Sequence, residues 1–240
     1  MRLTHGRTEV ELHELRTGSG MPLLLLHALG ESSASWDETA VASWPGSVFA
    51  LDFAGHGASE WVPGNAYVPE HFVAEADLAL QAMGPTSECA VVGAGIGAYV
   101  ALLLAASRTE IVRIAMLLPG RGLEGGGAVP DRSNRKITTL QGWETEAARR
   151  AEAYLPETDP GVSECEADIR PDDYVNAFAE GARRLLLSDT VAKQDHVPSW
   201  WRYVTAAAAG VSSTEGPYMQ SNLASALIAL RDASTEENAA

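Results

Sequence analysis

The chain has 240 residues, of which 46% are hydrophobic and 20% are charged, and its 32 acidic residues exceed its 17 basic ones to give a formal net charge of −15. That length is sufficient for one α/β domain whose core needs neither disulfides nor metals. The negative charge would repel nucleic acids and anionic membrane surfaces, so we expect neither as a partner.

The two cysteines and the N-terminus give further limits. Cys89 and Cys165 lie far apart, and neither belongs to a CxxC pair or has a histidine nearby, so we expect neither a disulfide framework nor a metal site. We also expect no cofactor. The N-terminal sequence MRLTHGRTEVELHEL has no apolar signal core. The apolar runs, such as 21–26 and 99–106, are too short to cross a bilayer, so we expect a soluble cytoplasmic protein.

The first half of the chain alternates strand and helix patterns. Residues 9–15 alternate in polarity as a half-buried strand does, 17–20 read as a turn, and 21–26 form a continuous apolar run. The following segments are predicted in order as a helix at 35–44, a strand at 48–52, a helix at 71–83, a strand at 89–92, a helix from Ile96 and a strand at 111–118. This alternation predicts right-handed crossovers and a mostly parallel sheet with helices on both faces.

The pattern changes after Pro119. Residues 120–130 form a glycine-rich loop, and the helical patterns at 145–154 and 174–182 are polar. We interpret 120–183 as a small helical lid inserted into a single domain of residues 1–240. The sheet is predicted to resume at 184–187, and 222–230 has the spacing of a last amphipathic helix.

Three loop segments carry a resemblance to a known family. They are LLLLHALG at 23–30, LDFAGHGAS at 51–59 and VVGAGIG at 91–97, in this order along the chain. Together they resemble the α/β-hydrolase superfamily. The resemblance implies a mostly parallel sheet with helices on both faces, a small helical lid, hydrolase-like chemistry, and a pocket for a partly apolar small-molecule substrate or ligand.

The resemblance also assigns site positions. In that family a serine stands in a tight strand-to-helix turn and two backbone amides stabilise the oxyanion. By this resemblance the nucleophile position is Gly95, and the two amides are those of Ile96 and Leu29. His27 lies in the same loop as Leu29, directly after the apolar run at 21–26. Asp189 is the nearest candidate for the acid position. The sequence contains no histidine after His196, so the late catalytic histidine has no candidate beyond it.

These departures leave three hypotheses open. The first is a family member that keeps its pocket but has lost Ser-His-Asp hydrolysis. The second is an active hydrolase of esters or related acyl substrates with an atypical nucleophile. The third is a dinucleotide-binding protein, since Gly93, Gly95 and Ala98 match G-x-G-x-x-A, although the acidic residue expected after the next strand is missing. The sequence leaves the oligomeric state open.

Overall fold

The computed structural model describes residues 1–62, 67–84, 88–123, 155–167, 170–171, 173–188, 198, 200–201, 203–204, 211–212 and 219–236. The strands are β1 Arg2–His5, β2 Thr8–Leu26, β3 Gly46–Asp52, β4 Cys89–Ala94, β5 Val112–Leu118, β6 Leu185–Ser188 and β7 Val211–Ser212. The α-helices are α1 Glu38–Ala42, α2 Pro69–Met83, α3 Ile96–Ser107, α4 Asn176–Gly181 and α5 Met219–Glu236, and short 3-10 helices occupy Ser33–Ser35 and Pro160–Glu166.

The described strands form one sheet in the order β1-β2-β4-β5-β6-β7, with β3 paired to β2. β2, β4, β5, β6 and β7 pair in parallel, whereas β1 is antiparallel to β2. The mostly parallel sheet that the sequence predicts is therefore confirmed, and its carboxyl edge carries the loops that follow β2, β3 and β4.

The long strand β2 passes on both sides of β3. It is antiparallel to β3 from Glu11 opposite Asp52 as far as Arg16, and its register then shifts at Gly46. From Leu23 onward the partner numbers rise together, so this half runs in the same direction as β3. The turn predicted at 17–20 therefore lies within strand β2, where its register against β3 shifts.

The predicted helix at 35–44 is also different in the structure. It is divided into a 3-10 turn at Ser33–Ser35 and the helix α1 at Glu38–Ala42. Asp37 begins α1, because its side chain accepts hydrogen bonds from the amides of Thr39 and Ala40. A side-chain cap in the middle of the pattern therefore starts a second helix.

Two layers of buried side chains cover the sheet. On one face, residues such as Leu24, Val91 and Leu117 pack with side chains of α2, α3 and α4. On the other face, their neighbours along the same strands form a second cluster with side chains of α1 and α5, which includes Val92 and Leu227. Strands buried on both faces explain the continuous apolar runs in the sequence. None of the described helices is long and apolar enough to cross a membrane.

Candidate functional site

The turn between β4 and α3 has the form of a nucleophile elbow. Strand β4 ends at Ala94, Gly95 has φ 54° and ψ −119°, and α3 begins at Ile96. This backbone conformation strains any residue with a side chain and favours glycine. A Cβ on Gly97 would lie 2.6 Å from the His27 carbonyl oxygen, so the helix lies against the loop after β2.

A segment of the chain crosses directly over this turn. We call residues 120–123, which follow β5, the strap. A Cβ on Gly95 would overlap the Arg121 carbonyl oxygen and would lie 2.6 Å from both the Arg121 nitrogen and the Gly120 carbonyl carbon. A Cβ on Gly120 would in turn lie 2.6 Å from the Gly95 nitrogen. The strap therefore fills the space into which a side chain at position 95 would project.

Both amides predicted as oxyanion donors bind the strap. The Ile96 amide donates to the Arg121 carbonyl oxygen at 2.9 Å, and the Leu29 amide donates to the same oxygen at 3.1 Å. Distances of this size are ordinary for N–H···O hydrogen bonds. The loop after β2 and the start of α3 thus converge on one oxygen, and that oxygen is part of the chain itself.

The strap continues in a constrained conformation. Gly122 has φ 101°, and a Cβ on it would lie 2.8 Å from the Ile96 Cβ and 3.0 Å from the Leu29 Cβ. Leu123 has φ 49°, which is unusual for a residue with a side chain, and it is buried. The Leu123 amide donates to the Cys165 carbonyl at 2.7 Å, which attaches the strap to the 3-10 helix at Pro160–Glu166.

His27 is buried between two loops, and both of its ring nitrogens are engaged. Its Nδ1 lies 2.8 Å from the Ala28 carbonyl oxygen, which can only accept, so Nδ1 carries the hydrogen. Its Nε2 then accepts a hydrogen bond from the Phe53 amide at 3.1 Å. Burial lowers the pKa of His27. The ring therefore holds the loop after β2 against the loop after β3.

The loop after β3 is organised by Asp52. Its carboxylate accepts hydrogen bonds from the amides of Ser33 at 2.6 Å and Ala58 at 2.9 Å, and His13 Nε2 lies 3.0 Å from it. Burial acts to raise the pKa of Asp52, but His27 and these amides outweigh it, and the pKa is lowered. A carboxylate so fully engaged orders the loop.

Glu31, which lies two residues after Leu29, was not singled out by the sequence. Burial raises the pKa of Glu31 to about 7, against the opposing charge of Arg121. Its Oε2 is buried and has no hydrogen-bond partner within the described part of the chain. The sequence signal that could have predicted the contact between the elbow and the strap is the set of glycines at 95, 120 and 122. These glycines permit the two backbone segments to approach closely.

The other predicted positions and the nearby nucleophilic side chains can be placed only in part. Asp189 and His196 lie outside the described residues. The Ser32 hydroxyl accepts from the Ala34 amide, and the Ser35 hydroxyl accepts from the Ser32 amide, so both belong to a capping box. Burial raises the pKa of both cysteine thiols to about 12. No three metal-ligating side chains come together among the described residues.

Comparisons with known proteins identify the family and the fold. The sequence profile described as "Alpha/beta hydrolase family" matches residues 23–237. A comparison with curated proteins found no match. Among solved structures, the chain is similar to a thioesterase domain from the curacin biosynthetic pathway, with 17% identity, a TM-score of 0.67, and coverage of 97% of this chain and 96% of that one.

Two further solved structures have different activities in their names. A thermophilic esterase from Thermogutta terrifontis, with malate bound, shares 16% identity at a TM-score of 0.66, with 98% of each chain covered. The bottromycin epimerase BotH, in complex with bottromycin A2, shares 18% identity at a TM-score of 0.58, with 95% of each chain covered. At these identities the likeness shows the α/β-hydrolase fold alone. Because the family profile spans most of the sequence, the chain belongs to the alpha/beta hydrolase family.

Proposed function

We propose that this protein binds a partly apolar small molecule in a hydrolase-like pocket and does not hydrolyse it through the nucleophile elbow. The observation that carries the proposal is the occupation of the elbow: position 95 has no side chain, and the Gly120–Arg121 backbone fills the space where one would project. Covalent acyl transfer needs a nucleophile beside an activating base. Without that nucleophile, the serine mechanism of the family has no first step.

The same backbone also occupies the donors. An oxyanion hole works when its amides point at the place where charge develops on a substrate oxygen. In this chain the amides of Leu29 and Ile96 are already bonded to the Arg121 carbonyl. A substrate carbonyl could use these amides only if the strap moved away. While the strap is in place, the amides cannot stabilise the oxyanion of a hydrolytic reaction, and this supports a binding function.

The structural neighbours are consistent with this proposal without deciding it. The esterase and thioesterase have names that denote hydrolysis of acyl compounds, whereas the name of BotH denotes epimerisation. One fold can support different chemistries, so membership of the family does not by itself assign hydrolysis to this chain. We therefore take a small carbonyl-containing molecule as the ligand class.

The other two hypotheses lack a supporting observation. Ser32 and Ser35 are engaged in a helix cap, and both thiols are held protonated by burial, so none of these four is an activated nucleophile. For a dinucleotide, the first amide of α3 would have to face a phosphate. That amide, of Ile96, bonds instead to the Arg121 carbonyl.

The test is hydrolysis of a short-chain aryl ester by the purified protein, by the Gly95→Ser variant and by a Gly181→Ala variant. We expect all three to stay at the rate of a boiled control, because a serine at position 95 would collide with the strap. Labelling with a fluorophosphonate probe, which needs an activated serine, should also fail.

Two results would contradict the proposal. Turnover by the wild-type protein well above the boiled control would reveal another nucleophile, and the labelled residue would identify it if that nucleophile were a serine. A gain of activity in Gly95→Ser alone would mean that the strap gives way and that an acid and a base are in place. If Gly95→Ser does not fold, the wild-type rate and the probe still decide the question.

A further inference from the structure

We propose that the strap is a built-in occupant of a carbonyl-binding site, and that an external carbonyl compound competes with it for the amides of Leu29 and Ile96. The inference deepens the proposed function and takes its ligand class from it. It assigns to Gly120, Arg121 and Gly122 the place of a bound ligand, with the Arg121 carbonyl as the oxygen that is recognised.

The first support is the convergence of the donors. The amides of Leu29 and Ile96 come from separate elements, the loop after β2 and the first turn of α3, yet both donate to one oxygen. Neither belongs to the element that supplies the oxygen. Two preorganised donors around one acceptor are the arrangement that recognises a carbonyl group, whether it comes from a ligand or from the chain.

The second support is the fit between three glycines. A Cβ on Gly95 would meet the Arg121 backbone, one on Gly120 would meet the Gly95 nitrogen and the Ala28 Cβ, and one on Gly122 would meet Ile96 and Leu29. Each segment lacks side chains at the points where the other passes. The elbow thus accommodates a backbone in the space where a relative with an elbow serine has its hydroxyl.

The third support is the backbone conformation of Leu123 at the end of the strap. Leu123 has φ 49° although it has a side chain, and strain of this kind persists only where surrounding contacts impose it. Backbone hydrogen bonds that hold the strap include those from the two amides to the Arg121 carbonyl and the one from the Leu123 amide to the Cys165 carbonyl. Loss of the bonds to the Arg121 carbonyl to a competing carbonyl would allow the strap to relax.

The sequence permits an unusually direct test. Arg121–Gly122 is the only Arg-Gly pair in the chain. Protein labelled with ¹³C at arginine carbonyls and ¹⁵N at glycine therefore gives a single cross-peak that correlates the Arg121 carbonyl with the Gly122 amide. Uniform ¹⁵N labelling reports hydrogen exchange at Leu29 and Ile96 in parallel.

In the wild type, we expect the ¹³C chemical shift of the Arg121 carbonyl to be that of a hydrogen-bonded carbonyl. We expect the Leu29 and Ile96 amides to exchange their hydrogens slowly with solvent. In Gly120→Ala the new Cβ would lie 2.6 Å from the Gly95 nitrogen. Both amides should then exchange at least tenfold faster, and the ¹³C chemical shift of the Arg121 carbonyl should change toward that of a solvent-exposed carbonyl. Gly181→Ala is the matched control, because the nearest atom to its new Cβ is 3.6 Å away.

A titration of the wild-type protein with N-acetylglycinamide tests the competition without any variant. Binding of the probe should change the ¹³C chemical shift of the Arg121 carbonyl to that of a solvent-exposed carbonyl, while the Leu29 and Ile96 amides stay protected from exchange. Fast hydrogen exchange at both amides in the free protein would overturn the inference. So would a chemical shift of the Arg121 carbonyl that does not change at high millimolar concentrations of the probe. Ester hydrolysis by the wild type would refute the proposed function but leave this result readable.

Discussion

At the scale of the residue, the proposed function depends on Gly95. With φ 54° and ψ −119°, its backbone has the strained conformation that presents a nucleophile in active relatives. Without a side chain, the same conformation instead admits the Arg121 carbonyl. The amides of Leu29 and Ile96 donate to that oxygen.

Adding even one methyl group at this position should be costly. For Gly95→Ala we expect a loss of about 2–5 kcal/mol in the free energy of unfolding, the sum of backbone strain and overpacking against the strap. Urea denaturation of Gly95→Ala beside Gly181→Ala measures it. Gly181→Ala should lie close to the wild type, since its Cβ makes only an ordinary contact with Ala106. Equal stability of the two variants would mean that the strap does not lie against the elbow.

At the scale of elements, the described parts of the predicted lid are fastened to all three loops at the carboxyl edge of the sheet. The Arg121 carbonyl binds the elbow, the Leu155 amide donates to the Gly30 carbonyl at 2.8 Å, and the Asp159 amide donates to the Gly55 carbonyl at 2.8 Å. These bonds all involve backbone atoms, so side-chain patterns in the sequence could not reveal them.

The contact between Tyr67 and the 3-10 helix can be tested separately. The Tyr67 hydroxyl donates to Asp159 Oδ2 at 2.6 Å and accepts from the Val62 amide at 2.8 Å. Tyr67→Phe leaves the buried Asp159 carboxylate and the half-buried Val62 amide each short of a bond, so we expect a loss of about 1–3 kcal/mol in stability by chemical denaturation. Tyr174→Phe, at an exposed tyrosine, should change little. A Tyr67→Phe protein as stable as the control would show that this contact contributes nothing.

For the whole molecule, apolar patterning predicted the sheet and the principal helices because strands buried on both faces leave continuous runs, as at 21–26. The three loop motifs gave the family and the elbow. The strap was not predictable, since residues 120–130 read as a flexible glycine-rich loop and nothing local indicates that Arg121 meets Leu29 across the sheet edge. Close backbone approach depends on tertiary structure.

Glu75 and His56 are two buried groups whose shifted pKa values contribute to the pH dependence of the fold. Burial raises the pKa of Glu75 from 4.5 to about 8, although the Ala54 amide donates to it, and burial lowers the pKa of His56 from 6.5 to about 3. His5 Nδ1 lies 3.6 Å from Glu75, but its own pKa is lowered, so near pH 7 this contact is not an ion pair. Folding keeps the proton on Glu75 and keeps it off His56.

The signs of these shifts predict a loss of stability on the alkaline side. A raised carboxyl pKa stabilises the fold below 4.5 and loses that contribution as pH rises to about 8, whereas the His56 contribution is complete above 6.5. Between pH 6.5 and 8 the Glu75 loss is therefore unopposed by His56, at up to about 1.4 kcal/mol per pH unit. Glu31, with its pKa near 7, adds a loss of the same sign in the lower part of this window.

Replacement of the carboxyl by a neutral amide should remove most of that slope. We expect the urea-derived stability of the wild type to fall by roughly 2 kcal/mol from pH 6.5 to 8, and that of Glu75→Gln to fall by much less, because glutamine has no proton to lose. Glu180→Gln, at an exposed carboxylate, should keep the wild-type slope. If Glu75→Gln falls as steeply as the wild type, the alkaline sensitivity belongs to another group and Glu75 is ionised inside the fold.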